Sequence, residues 1–306
     1  MDICRRLSLL FETIKFAHSV FALPFALLAM IVAAGGWPPW RIFLLILACM
    51  VSARSAAMAF NRWVDRESDA ANPRTRQRPT ATGLVSSGFL LSFVALCCAV
   101  FCICAWLLNW FCLACAAPVL GLLLGYSYAK RFTSLCHFWL GLSLGLAPAG
   151  AHVAVRGGVW PLPGLGLRWG LPLELFPVVL GVAVLLWVAG FDLIYACQDY
   201  AVDMADPGAH SLAKKLGVRR ALRVSSALHL LAAVLLGLAG VYAGLGPWYY
   251  VAFGLVSALL LYEHWIVSAD DLSRVNTAFF TLNGAVSLLL FVAVLVERVV
   301  LSGPGR

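Results

Sequence analysis

Long apolar runs alternate with short polar segments along most of this chain. A helix that crosses a bilayer needs roughly 20 mostly apolar residues, and nine runs reach about that length. Turn-forming segments separate several of them, such as Gly-Gly-Trp-Pro-Pro at residues 35–39. The pattern therefore predicts nine membrane-spanning helices, at residues 17–35, 41–60, 84–107, 109–128, 136–155, 174–195, 220–243, 247–267 and 276–300.

Composition supports a polytopic membrane protein. The chain is 62% hydrophobic and only 12% charged, whereas a soluble domain has about 25% charged residues. The start, MDICRRLSLLFETIKF, is charged and amphipathic, and the first long apolar run is a full span, so we expect no cleavable signal peptide. We predict an all-α protein that forms a single domain over residues 1–306.

Basic residues are distributed unequally between the two sides of the membrane. Sixteen of the 22 Lys and Arg residues precede the first span or follow spans two, four, six and eight, and five lie on the other side. The positive-inside rule then places the N-terminus and these loops in the cytoplasm and the C-terminus outside. The net charge of +8 indicates topology rather than nucleic-acid binding, because no soluble basic domain is present.

Half of the 14 acidic residues lie in or next to two clusters that follow spans two and six. The first reads Asn61-Arg-Trp-Val-Asp65-Arg-Glu-Ser-Asp69, and the second ends in Gln-Asp199-Tyr-Ala-Val-Asp203. Carboxylates four residues apart share one face of a helix. Because like charges repel, a site that keeps them together usually binds a cation. We therefore predict cytoplasmic catalytic segments at about 61–82 and 192–219.

The two clusters suit a divalent metal that holds a phosphorylated substrate. Mg²⁺ prefers one or two carboxylates together with phosphate oxygens and water, and it neutralises a phosphate leaving group. The candidate ligands are Asp65, Asp69, Asp199 and Asp203. Basic candidates for phosphate contacts are Arg66 and Lys130, with Arg62 and Lys15 as further options. The alternative for each cluster is a solvated charged loop that only keeps the segment in water.

Arg54 lies inside the second predicted span, seven residues before Asn61. Ionisable residues within a span are costly and usually functional, so Arg54 is a candidate for binding an acceptor carboxylate. The alternative is a paired or snorkelling structural arginine. Tyr126 and Lys130, four residues apart, are expected to share a helix face toward the site. The polar residues Glu263, Asn276 and Asn283 are interpreted as interhelical contacts, and no histidine is assigned to a metal.

At these residues the chain resembles the UbiA family of intramembrane aromatic prenyltransferases. The first cluster matches the family pattern N-x-x-x-D-x-x-x-D, and the second matches D-x-x-Y-A-x-Q-D-x-x-x-D from Asp192 through Tyr195 to Asp203. Residues 72–75, 78–79 and 126–131 are also similar to family segments. The resemblance covers nearly the whole chain and includes the count of nine spans.

The resemblance implies an isoprenyl-synthase-like helical bundle around a central cavity that opens sideways to lipid. It implies Mg²⁺-dependent transfer of a polyprenyl group from a polyprenyl diphosphate to an acceptor, commonly an aromatic acid. By the same resemblance, the four aspartates hold Mg²⁺ with help from Asn61 and Asp192. The implied substrate contacts are Arg66, Tyr126 and Lys130 on the diphosphate, Arg54 on the acceptor carboxylate, and Tyr195.

Within the family, the sequence is most similar to bacterial 4-hydroxybenzoate polyprenyltransferases. Residues 14–24, 262–265 and 274–283 favour the branch on the futalosine route to menaquinone, although Ala17 stands where that branch has Glu. The acceptor is thus 4-hydroxybenzoate or a hydroxynaphthoate, in ubiquinone or menaquinone synthesis. A UbiA-family enzyme with another acceptor is a further alternative. Outside the family, the alternative is a cation-coupled transporter, but such proteins place their charges near the membrane midplane.

Overall fold

A computed structural model describes residues 21–157 and 172–301, with side chains from Leu175 onward in the second range. Within these residues every regular element is helical. The long helices are α1 (Leu23–Ala34), α2 (Trp40–Val64), α4 (Ser87–Leu108), α5 (Trp110–Ala129), α6 (Cys136–Arg156), α7 (Pro172–Ala196), α10 (Val218–Tyr242), α11 (Pro247–Ile266) and α12 (Asn283–Leu295). The short helices are α3 (Arg66–Ala71), α8 (Tyr200–Ala205) and α9 (Leu212–Leu216).

All nine predicted spans correspond to helices in the described part of the chain. Eight helical segments are long and apolar enough to cross a membrane, the last of them running from Thr277 to Leu301 through α12 and its two flanking π-helical turns. The ninth, α1, has 12 described residues. The start of the first predicted span lies outside the described residues, as do Lys15 and Ala17.

Local sequence explains where several helices begin and turn. The Ser86 side chain accepts a hydrogen bond from the Phe89 N–H and caps α4. Asn109 ends α4 in an extended conformation and caps α5, because its side chain accepts from the Cys112 N–H. An N-cap of this type satisfies one of the free donors at a helix start. The tight turn between these helices therefore needs only one residue.

Helix α7 lies at the centre of the bundle, packed between α6 and α10. The approach to α6 is close because small residues line it. A Cβ at Gly141 would clash with the Leu185 carbonyl, and one at Gly145 would clash with the Gly181 carbonyl. Small residues spaced four apart allow such close packing of membrane helices. Helices α2, α4 and α5 form a second group, which contacts the first through α6.

A polar network joins four helices inside the bundle. Buried Asn283 donates to Glu263 Oε1 at 2.9 Å, and its own carbonyl oxygen accepts from the Trp187 indole at 2.6 Å. His229 contacts the Trp187 carbonyl at 3.1 Å and His264 at 3.0 Å. The interpretation of Glu263 and Asn283 as interhelical contacts is confirmed.

The two ends of the bundle differ. Both acidic motifs lie at one end, which we call the site end. At the opposite end, Arg41 donates to the Leu107 carbonyl at 2.9 Å and Asn109 donates to the Val153 carbonyl at 3.2 Å, tying neighbouring turns together. Exposed tryptophans gather there, as expected for side chains at a membrane–water interface. They are Trp37, Trp40, Trp106, Trp110 and Trp248.

Candidate active site

The first motif lies where α2 ends. Asp65 follows α2 and precedes α3, and its carboxylate accepts from the Asn61 amide at 2.9 Å. The backbone N–H of Asp69 donates to the Asp65 carbonyl at 2.7 Å, so the turns nearly continue. The expectation that each motif occupies one helix needs correction, because Asp65 interrupts the first and a 3₁₀ turn, Cys197–Asp199, separates α7 from α8 in the second. At both helix ends, the polar residues lie outside the apolar part of the bundle.

Asp69 is held by the loop that follows α3. Arg78 Nη1 donates to both oxygens of Asp69, at 2.7 and 2.9 Å, and Arg62 Nη1 lies 3.9 Å from the same carboxylate. The Thr75 hydroxyl donates to the Asp69 carbonyl at 3.0 Å. The basic loop therefore folds back over the motif that precedes it.

The same loop also reaches the second motif. Arg74 binds Asp199 through two parallel hydrogen bonds of 2.7 and 3.0 Å, and it donates to the Tyr195 hydroxyl at 2.9 Å. A bidentate pair of this kind is strong and directional. Arg74 thus joins the two halves of the chain, which sequence distance alone does not bring together.

Two further pairs complete the second motif. Lys130 Nζ lies 2.9 Å from Asp203 Oδ1, while Asp203 Oδ2 is buried and lacks a hydrogen-bond partner in the described part of the chain. His137 Nδ1 lies 2.7 Å from Asp192 Oδ2, and His137 Nε2 accepts from the Leu212 N–H at 3.4 Å. Because Nε2 accepts a hydrogen bond, the imidazole hydrogen is on Nδ1, which donates to the Asp192 carboxylate.

The electrostatics of the site follow from burial and neighbouring charge. Burial, reinforced by the carboxylate of Asp69, raises the pKa of Asp65 above its ordinary value. Burial alone would lower the pKa of Lys130, but the attraction of Asp203 outweighs it, so that pKa is raised. The site therefore keeps its lysine charged and resists the ionisation of one carboxylate.

A cavity of about 600 Å³ lies between the two helix groups, beside the motifs. Phe111 and Tyr126 both line it, and they lie 15 residues apart on α5, which corresponds to roughly 22 Å along a helix. Most of its wall is apolar. The polar wall residues are Arg54, Asn61, Arg62, Arg78, Tyr126, Ser143, Asp192 and Tyr195. Arg54 Nε is buried without a hydrogen-bond partner among the described residues.

The structure brings most of the sequence-predicted site residues together. Arg54, Asn61, Tyr126, Asp192 and Tyr195 line the cavity. Asp65, Asp69 and Asp199 are linked to that group or to the basic loop by hydrogen bonds, and Lys130 and Asp203 pair with each other.

Arg66 is placed elsewhere. Its Nη1 donates to the Trp63 carbonyl and its Nη2 to Glu67, both at 2.9 Å.

Sequence reasoning missed three site residues. Arg74 and Arg78 appear in it only within residues 72–75 and 78–79, the segments similar to the family. Their positive charge was the signal that could have identified them as site residues. His137 gave no signal, because nothing in the sequence places it beside Asp192.

The residues present fit a metal only together with a further ligand. Among the described residues, no three His, Cys, Asp or Glu side chains form a group that could hold an ion. The carboxylates instead face Arg78, Arg74 and Lys130. A ligand with several anionic oxygens would satisfy these cations and release the carboxylates, including the unpartnered Asp203 Oδ2, toward a divalent ion.

Fold and site together define the class of the protein: a membrane-embedded helical enzyme whose elongated cavity suits an apolar substrate with an anionic head. Residues 22–285 match the model of the UbiA prenyltransferase family. The chain therefore belongs to that family, and it is an integral membrane prenyltransferase. The cation-coupled transporter considered from the sequence is excluded by this assignment.

Curated relatives cover most of the chain. It is 34% identical over 268 residues to the 4-hydroxybenzoate octaprenyltransferase of Xanthomonas campestris pv. campestris, covering 87% of this chain and 83% of that relative. It is 28% identical over 287 residues to the protein of the same name from Aromatoleum aromaticum, covering 89% and 86%.

Solved structures agree with the fold. The apo structure of a UbiA homolog from Aeropyrum pernix K1 has a TM-score of 0.81 and 33% identity, covering 92% of this chain and 98% of that one. A UbiA homolog from Archaeoglobus fulgidus, solved bound to GPP and Mg²⁺, has a TM-score of 0.66 and 16% identity, covering 94% and 99%.

Proposed function

We propose that this protein transfers a polyprenyl group from a polyprenyl diphosphate to an aromatic acid, with Mg²⁺ as cofactor. The observation that carries the proposal is the cavity, which joins a long apolar wall to the buried guanidinium of Arg54 and to the motif residues Asn61 and Asp192. An apolar chain, an anionic diphosphate and an aromatic carboxylate each find a chemically matched part of this one space.

The diphosphate would bind among the cations at the site end. Arg74, Arg78 and Lys130 now pair with carboxylates at 2.7 to 3.0 Å. Each can exchange its carboxylate for a phosphate oxygen, since Arg and Lys bind both. Tyr126, which lines the cavity, would contact the diphosphate as well. Arg66 would have to leave Glu67 before it could take part.

Asp65, Asp69, Asp199 and Asp203 would then hold Mg²⁺, with Asn61 and Asp192 assisting. Bound Mg²⁺ would supply positive charge that stabilises the diphosphate leaving group. The basic side chains of the site would act in the same direction, because they lie beside these carboxylates and would stabilise negative charge that develops on the diphosphate.

The chemistry forms one C–C bond and breaks an allylic C–O bond and a ring C–H bond, whose proton passes to a base. The allylic C–O bond breaks, its electron pair stays on the diphosphate, and the ring carbon ortho to the acceptor hydroxyl forms the new C–C bond. The ring then loses a proton to a base and regains aromaticity. Arg54 would hold the acceptor carboxylate through charge-assisted hydrogen bonds, which fixes the ring relative to the allylic carbon.

The names of the curated relatives favour 4-hydroxybenzoate as the acceptor and an octaprenyl donor, and hence a role in ubiquinone synthesis. A hydroxynaphthoate, with a role in menaquinone synthesis, is the second acceptor we propose to test. We place the protein in the bacterial cytoplasmic membrane with the site end facing the cytoplasm, because Lys and Arg residues concentrate at that end.

The test is prenyl transfer by the purified full chain in detergent. Octaprenyl diphosphate and Mg²⁺ are offered with 4-hydroxybenzoate or with a hydroxynaphthoate, and the lipid-soluble product and released diphosphate are both measured. We expect product with one acceptor, loss of product with a chelator, and loss in Asp65→Ala and Asp199→Ala. Full transfer by either folded variant would contradict the roles assigned to the aspartates.

A further inference from the structure

A second cavity, of about 270 Å³, lies at the site end between the start of α10 and the end of α11. It shares no lining residue with the first cavity. Its polar side chains are Arg219, Arg223 and Ser226 from α10, His264 from α11, and Ser268 and Asp270 from the segment that follows. Nothing in the transfer reaction described above uses this space.

The α10 side chains form one polar stripe. Arg219, Arg223 and Ser226 are spaced by four and three residues, so they lie on one face of the helix. Arg223 makes no hydrogen bond or ion pair within the described part of the chain. Arg219 is paired with Asp270 at 3.5 Å, but both side chains are largely exposed, and such pairs are weak. With Asp270 included, the cavity keeps a net positive charge.

His264 contributes a polar side chain from α11 to the cavity wall. His264 Nε2 contacts His229 Nδ1 at 3.0 Å. His229 Nε2 donates to the Trp187 carbonyl, so His229 Nδ1 accepts and His264 donates. Through His229 the cavity wall is also connected to the backbone of α7.

The surface next to this cavity is apolar and exposed. Leu230 lies four residues after Ser226 on the same helix face and is 67% exposed, and Leu261, three residues before His264, is 75% exposed. Trp265 is 79% exposed at the end of α11, where an aromatic ring marks the membrane interface. The positive cavity therefore lies at the site end of α10 and α11, next to an exposed apolar surface.

We propose that this cavity binds the phosphate group of an anionic phospholipid in the leaflet at the site end. Arg219 and Arg223 contact the headgroup phosphate, and the acyl chains pack against Leu230 and Leu261. Basic pockets between membrane helices on the cytoplasmic side are suited to such headgroups. The apolar surface next to the cavity favours a lipid over free phosphate, because phosphate has no apolar part that could pack against this surface.

The experiment measures lipid binding by the full chain in detergent, using native mass spectrometry and thermal unfolding. Phosphatidylglycerol is compared with phosphatidylcholine of the same acyl chains, and inorganic phosphate is the soluble probe. The test variants are Arg223→Gln and the double variant Arg219→Gln/Arg223→Gln. Arg220→Gln is the matched control, because Arg220 is exposed on the same turn of α10 but does not line the cavity.

We expect wild type to prefer phosphatidylglycerol, and that preference to fall about fivefold in Arg223→Gln and about 30-fold in the double variant. Arg220→Gln is expected to behave as wild type, and phosphatidylcholine binding shows whether each variant is folded. An equal loss in Arg220→Gln would overturn the proposal, since it would mean that any basic surface suffices. Displacement of the lipid by millimolar phosphate, with the same thermal stabilisation, would overturn it in favour of a soluble anion.

Discussion

Two charged pairs at the site end join the first half of the chain to the second motif. Arg74 comes from the first half of the chain and binds Asp199 and Tyr195 of the second. Lys130 likewise binds Asp203. Because removal of one partner leaves a buried charge unpaired, these pairs define positions at which substitution affects binding and stability together.

Arg54 gives the most direct test of the acceptor position. We expect Arg54→Gln to lower kcat/KM for the aromatic acid by about 10- to 100-fold, the cost of one or two charge-assisted hydrogen bonds, with little change in KM for the prenyl diphosphate. Steady-state kinetics with each substrate varied in turn would measure this. The control is Arg41→Gln, on the same helix, whose side chain caps the Leu107 carbonyl far from the site.

The methyl ester of the acceptor sharpens the same test. If Arg54 binds the carboxylate, wild type should lose activity with the ester, and Arg54→Gln should lose little more. If the losses in activation free energy from the ester and from Arg54→Gln are additive in this double cycle, Arg54 and the carboxylate do not interact.

Asp65 connects the site to the pH dependence of stability. Its raised pKa means that the folded protein holds this proton more tightly than the unfolded chain does. Stability contributed by this residue therefore falls as pH rises from the ordinary carboxyl range through the raised pKa. We expect Asp65→Asn to raise Tm at pH 7, in the presence of a chelator, and the gain to shrink as pH is lowered.

Thermal unfolding in detergent across a pH series measures this gain. Glu67→Gln is the matched control, because Glu67 lies two residues away but is exposed and pairs only with Arg66. A gain for Asp65→Asn that is the same at every pH would contradict the assignment.

At the scale of elements, both motifs occupy breaks between a long helix and a short one. Helix α2 stops at Val64 and α7 at Ala196, so the carboxylates sit where the chain leaves the apolar region. Helix α7 supplies Asp192 to the cavity and packs along most of α6. The position of the second motif therefore depends on how closely these two helices approach.

Gly145 tests that dependence. We expect Gly145→Ala to lower the free energy of unfolding by about 1–3 kcal/mol, because the added methyl group meets the Gly181 carbonyl and forces the helices apart. Denaturant unfolding in detergent measures the change. Gly150→Ala, on the same helix with no atom within 4 Å of the added Cβ, should be neutral or slightly stabilising. Equal effects of the two changes would show that close packing at Gly145 is not required.

At the scale of the whole molecule, the cavity lies between two groups of helices and belongs to neither. Helices α2, α4 and α5 form one wall, and α6 with the start of α1, the end of α7 and the turn before α12 forms the other. Its length along α5 exceeds what a short acceptor needs, which is consistent with a polyprenyl chain lying toward Phe111.

Cys112 lines that apolar part of the cavity. We expect Cys112→Trp to reduce kcat/KM for octaprenyl diphosphate by at least about tenfold and to leave geranyl diphosphate nearly unaffected, because the indole blocks the path of long chains only. Product formation with donors of increasing length measures the cutoff. Leu113→Trp is the control, since Leu113 is the next residue on α5 and is exposed outside the cavity. Uniform loss for all donors would contradict a chain path along α5.

Much of the fold could be predicted from the sequence because membrane spans have a strong local signal. Each of the nine apolar runs corresponds to a helix in the described part of the chain, eight of them long enough to cross a membrane, and the scarcity of carboxylates marked the two motifs. Helix breaks at Asp65 and at Cys197–Asp199 escaped prediction, since four-residue spacing is also compatible with a continuous helix. The contacts of Arg66 with Trp63 and Glu67 were not predicted either, because the charge of a side chain does not tell which way it points.

The sequence by itself determined the class of fold and the positions of the apolar runs and acidic motifs, since these depend on local composition and spacing. Only the tertiary structure decided which of these residues meet. The pairing of Arg74 with Asp199, of Lys130 with Asp203 and of His137 with Asp192 joins positions 55 to 125 residues apart. Such contacts follow from how the helices pack, and packing depends on the shape of the whole bundle rather than on any single segment.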